Sequence, residues 1–97
     1  MTNAPTTERP ITMTFTSTIT TERNSGWTCV VVPDSGHIFG TRRAVKVDGT
    51  VDGHPVQATL LPIGDGTHML PLRAALRAAV SKLVGEDVTV QLQRRRG

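Results

Sequence analysis

The segment RAVKVDGTVDGHPVQATLLP, from Arg43 to Pro62, limits what this chain can fold into more than any other. It sets two Asp-Gly pairs, Asp48-Gly49 and Asp52-Gly53, four residues apart between Val-rich runs. Asp-Gly supplies the positive backbone φ angles that a two-residue hairpin loop demands, so antiparallel strands flank one of the pairs. We place the turn at Asp52-Gly53 and read Asp48-Gly49 as a bulge.

Alternation extends the same signal toward both ends. MTFTSTIT puts Met13, Phe15, Ser17 and Ile19 on one face and threonines on the other, as a half-buried strand does. WTCVVVP is apolar on both faces, which suits a central or barrel position, and Pro33 ends it. DVTVQLQ turns Val88, Val90 and Leu92 inward and Thr89, Gln91 and Gln93 outward. IGDGT is a turn leading into the short strand HMLP. One helix is expected next: Pro71 fits its first turn, Leu72, Ala75, Leu76, Ala79, Val80 and Leu83 form one stripe, and Gly85 closes it. DSGHIFG allows only a helical turn, capped by Asp34 or Ser35 and stopped at Gly40. The expected class is mostly β with one α-helix, in a single domain as the 97-residue length implies.

The domain spans residues 11–93, behind a Thr- and Pro-rich leader over 1–10 read as disordered and ahead of a basic tail over 94–97. Arg94, Arg95 and Arg96 supply three of the eleven basic residues and account for the whole net charge of +3, so the body itself is neutral. With three aromatic rings in the chain, Phe15, Trp27 and Phe39 are expected first as core anchors. The lone Cys29, in an apolar strand, excludes an internal disulfide and a cysteine metal cluster and reads as a buried, inert thiol. The leader holds no continuous apolar run, so neither a signal peptide nor a membrane span is expected, and a cytoplasmic location follows.

The two halves echo each other. VVVP, a helical turn and VKV in the first match HMLP, a helix and VTV in the second. Two such units about a pseudo-two-fold axis can close a barrel, which removes sheet edges. In the order GWTCVVVP, GTRRAVKVDGTVDGHP, LLPIGDGTHMLPLRAALRAAV and GEDVTVQL, the chain resembles a bacterial and archaeal family, domain of unknown function 1905, over roughly Phe15 to Leu92. That resemblance implies a small double-split β-barrel. The architecture is similar to that of bacterial transition-state regulators and antitoxins that bind DNA as swapped dimers. The family label assigns no activity.

No catalytic constellation stands out. Cys29, His37, His54 and His68 lack an activated nucleophile or an orienting acid, and the histidines lack metal-ligand spacing. No cofactor and no metal are expected. The candidate binding residues are basic: Arg42 and Arg43 after the first helical turn, and Arg73 and Arg77 one turn apart on the helix, with His68 beside them and Trp27 as a possible ligand-facing ring. If the two-fold holds, the two arginine pairs approach each other. Against this stand two plainer readings, a solvated helix face neutralised by Glu86 or Asp87, and a packing role for His68 at a tight Gly64-Asp65-Gly66 corner. Three functions remain open. The first is a non-catalytic binding module for a protein partner or a small anionic ligand. The second is nucleic-acid binding through Arg42, Arg43 and the tail Arg94, Arg95 and Arg96, and the third an enzyme of unrecognised chemistry.

Overall fold

A computed structural model describes residues 12–95. The elements run β1 (Thr12–Thr18), β2 (Thr20–Thr21), β3 (Thr28–Val32), α1 (Ser35–Phe39), β4 (Val45–Val51), β5 (His54–Pro62), β6 (His68–Pro71), α2 (Ala74–Val80) and β7 (Asp87–Arg94). The strands form one antiparallel sheet in the order β1-β7-β4-β5-β6-β3-β2. Its two end strands, β1 and β2, are consecutive in the chain, parted by Ile19 alone, so the sheet curls into a half-barrel. Ser17 on β1 reaches across the curl and donates its hydroxyl to the Val31 carbonyl of β3 at 3.1 Å.

The double split is visible in the ladders. β1 pairs with β7 while its continuation β2 pairs with β3, and β5 pairs first with β4 and then, at Leu61 and Pro62, with β6. Each of these long strands is therefore divided between two partners. β3 lies antiparallel to β6, and β4 to β7, so each strand of the echo meets its own counterpart, as a two-fold axis demands. The same operation carries the pair Phe15↔Val90 onto Ala58↔Val47, and both are present.

The core is aliphatic. Val45, Val47 and Val51 of β4 face Val88, Val90 and Leu92 of β7, with Val30, Val32, Leu60, Leu70 and Phe39 completing a fully buried cluster. Each such side chain contributes about 1.5–3 kcal/mol by leaving water, so a chain with few rings still builds a core from Val and Leu. The expected alternation of β7 is observed residue for residue.

Three expectations are corrected. Asp48-Gly49 is not a bulge, because the β4–β5 ladder continues without interruption through Asp48↔Gln57 and Gly49↔Val56. Gly49 is small for another reason: a Cβ there would stand 1.8 Å from the Gln91 carbonyl oxygen of β7. Trp27 is not a core anchor. It follows Gly26, which has φ 75°, in the turn before β3 and is 50% exposed, while Phe39 is buried and Phe15 half-buried against the core. The helix is shorter than its stripe. Pro71 ends β6 opposite Cys29, and the Leu72 N–H extends that ladder by donating to Thr28. The α2 helix then starts at Ala74 and stops at left-handed Ser81, leaving Leu83 76% exposed. In α1, the expected positions hold, with Asp34 as N-cap residue and Gly40 as stop, although the Asp34 side chain makes no capping hydrogen bond.

The hairpin turn is at Asp52-Gly53, as expected, both with positive φ. Asp52 also ties the turn to β7. Its carboxylate accepts the Thr89 N–H at 2.8 Å and meets the Lys82 ammonium at 2.8 Å. Those contacts, the Lys82 hydrogen bond first, hold its carboxyl below the ordinary Asp value. A carboxylate depressed in the folded state stabilises above its unfolded pKa, about 3.9, and loses that contribution as pH falls through the folded value. Asp52→Asn is therefore expected to lower the urea midpoint at neutral pH. The gap between variant and parent narrows as pH falls below the unfolded value and closes once it has passed the depressed folded one; a gap that is constant with pH rules this linkage out.

Candidate functional site

The corner at Gly64-Asp65-Gly66 is built for packing. His68, the first residue of β6, has no exposed surface. Its Nε2–H donates to the Arg43 carbonyl at 2.7 Å, and its Nδ1 accepts the hydroxyl of Ser35, also fully buried, at 2.7 Å. The ring thus clips α1 and the approach to β4 onto β6. Gly36 donates its N–H to the Gly66 carbonyl at 2.9 Å, so close that a Cβ on Gly36 would collide with that oxygen. Asp65 is turned inward on its own loop, accepting the Thr67 N–H at 2.9 Å. A serine–histidine hydrogen bond can form a catalytic dyad, but this one is sealed from solvent and its far nitrogen meets a backbone carbonyl.

The arginines divide into two groups. Arg42 and Arg43 lie in the exposed bend before β4, beside the first residue of β6, whereas Arg73 follows its last. The two pairs therefore sit at opposite ends of β6 and do not converge as the two-fold reading expected. His68, buried with its nitrogens engaged, does not join Arg73 at the surface. Arg73 occupies the N-cap position of α2 and Arg77 lies one turn on, both exposed. Neither has an ion-pair partner among the described residues. The expected neutralisation does not occur: Glu86 accepts the Leu83 N–H at 2.8 Å and Asp87 the Thr18 hydroxyl at 2.6 Å. Arg94 belongs to β7 rather than to a tail, Arg95 follows it, and Arg96 lies outside the described residues.

What Arg73 does adjoin is a groove. β5 leaves β6 after two paired residues, and over His54–Leu60 its second edge faces α2 instead of a strand. The exposed side of α2 is rich in Ala, and only Leu76 and Val80 lean on the core, so the gap is incompletely filled. One lobe, about 400 Å³, is lined by Trp27, Leu61 and Leu72; the next, about 350 Å³, by Val56, Leu76 and Ala79. Ala58, Pro71 and Arg73 belong to both, and neither lining contains an acidic residue. Arg73 and Trp27 were legible as candidates, but the groove was not. The alanine-rich run AALRAAV is the signal that marks a loosely seated helix.

Cys29 is fully buried in β3, and burial foremost pushes its thiol up from the ordinary value, which suppresses the reactive thiolate. No group of three or more metal-ligating side chains occurs among the described residues. No helix among them is long and apolar enough to cross a membrane. A family model described as domain of unknown function (DUF1905) matches residues 15–92, from within β1 to within β7. No curated protein matches the chain.

Proposed function

We propose that this chain, which belongs to the DUF1905 family, is a non-catalytic binding module of the bacterial cytoplasm whose groove takes a small apolar anion. The observation that carries this reading is Arg73, an exposed guanidinium with no ion-pair partner among the described residues, set between two apolar lobes beside the half-exposed Trp27. Each lobe falls in the usual range for small-molecule sites, about 300–1,000 Å³. An apolar body gains by covering Trp27, Leu61 and Leu72. Its carboxylate, sulfonate or phosphate meets the forked donors of Arg73 with no competing carboxylate in the lining. Binding is favoured over catalysis because the hydroxyl, imidazole and thiol of Ser35, His68 and Cys29 are buried and none of them lines the groove.

Trp27 is the only tryptophan, so its emission reports on the groove directly. Titration with anilinonaphthalene sulfonate, an apolar sulfonate, is expected to quench it saturably. Arg73→Ala weakens the binding about tenfold, the value of one charge-assisted contact, and Arg77→Ala leaves it unchanged. Equal affinity in parent and Arg73→Ala removes the groove from consideration.

A further inference from the structure

The structure gathers five further basic residues at one end of the half-barrel, none of them in the groove lining. The Arg95 N–H donates to the Lys46 carbonyl at 2.8 Å and adds a rung to the β4–β7 ladder beyond Val47↔Arg94. Lys46 and Arg95 are therefore directly opposed. Since Val45 and Val47 point inward, Lys46 stands on the outer face. The Arg94 guanidinium donates to the Phe39 carbonyl at 3.2 Å, at the end of α1. From there Gly40 and Thr41 lead straight to the exposed Arg42 and Arg43. Five cations from two strands and a loop thus share one end. The carboxylate that answers them is Asp48, 3.7 Å from Arg95, and its Oδ1 has no hydrogen-bond partner.

Like charges facing each other across a ladder are unfavourable, and this cluster keeps them with one ion pair, Asp48 to Arg95, among the described residues. We infer that this end of the molecule binds the phosphate backbone of duplex nucleic acid, independently of the groove. Four of the five cations are arginines, whose forked donors match phosphate oxygens. The cluster carries no aromatic platform for unstacked bases, since Phe39 is buried, Phe15 packs on the core and Trp27 lines the groove. That favours duplex over single strand. The exposed large apolar side chains among the described residues, Trp27, Leu83 and Val84, belong to the groove and the segment after α2 rather than to this cluster, which favours a polyanion over an anionic membrane, since a membrane takes apolar as well as basic contacts.

Fluorescence anisotropy with a labelled duplex, read across a salt series, tests this. Each neutralised phosphate contributes about −0.9 to the slope of log K against log salt, so about four contacts predict a slope between roughly −3 and −4. Lys46→Ala/Arg95→Ala and Arg42→Ala/Arg43→Ala, all at surface positions, are each expected to reduce that slope by about two units with circular dichroism unchanged. Arg73→Ala/Arg77→Ala leaves it as in the parent. Duplex should bind more tightly than a single strand of equal length, polyglutamate or phosphatidylserine vesicles. The inference is overturned if both basic-end variants bind duplex like the parent, or if any of those three competitors binds at least as tightly.

Discussion

Gly49→Ala is expected to be the most damaging single methyl group that can be added to this fold. The new Cβ would lie 1.8 Å from the Gln91 oxygen and 3.0 Å from Leu92 Cα, both backbone atoms of β7. A flexible side chain could yield, but a backbone held in the β1–β7–β4 ladders cannot move without breaking rungs on both sides. Overpacking of this kind costs about 3 kcal/mol or more, against a total stability on the order of 5–15 kcal/mol. The melting temperature should fall by roughly 15 °C, at about 4–8 °C per kcal/mol for a domain of this size. Gly53→Ala is the control. Its Cβ would meet open space, but its φ of 83° is left-handed, so it costs only about 1 kcal/mol through the backbone. If the two alanines melt alike, conformational freedom rather than close approach explains Gly49.

That contrast also shows where the sequence is readable. The inward Val88, Val90 and Leu92 follow from period-two alternation, and the turn at Asp52-Gly53 from backbone chemistry, both local properties that tertiary context had no reason to override. The pseudo-two-fold is legible too, because it repeats local patterns. Gly49 was misread because its glycine is demanded by β7, some forty residues later. Trp27 was misread on size: an indole suggests a core, but β3 begins one residue after it and the interior is already filled by Val and Leu. Leu83 fitted the helical stripe, yet Ser81 turns left-handed and ends α2 before the stripe reaches it. As for the site, residue type pointed to Arg73 and Trp27. The concavity between them depends on where β5 parts from β6, which no residue type encodes.

His68→Ala separates the packing role of the corner from any role in binding. The substitution removes a buried ring, strands the fully buried Ser35 hydroxyl, frees the part-buried Arg43 carbonyl, and leaves a cavity. Each stranded polar group costs about 1–3 kcal/mol, and the cavity adds to that. A loss of about 3–5 kcal/mol in urea unfolding is expected, while Ser35→Ala, which strands only the imidazole nitrogen, loses about 1–2 kcal/mol. The effects should not add. Once His68 is gone, removing the Ser35 hydroxyl relieves an orphaned group, so the double variant should be less damaged than the sum of the singles. Affinity per folded molecule for anilinonaphthalene sulfonate and for duplex should stay at the parent value in every variant that remains folded. The opposite pattern, near-parent stability with lost affinity, would mean that the Gly64–His68 corner opens to a ligand and that His68 belongs to a site after all.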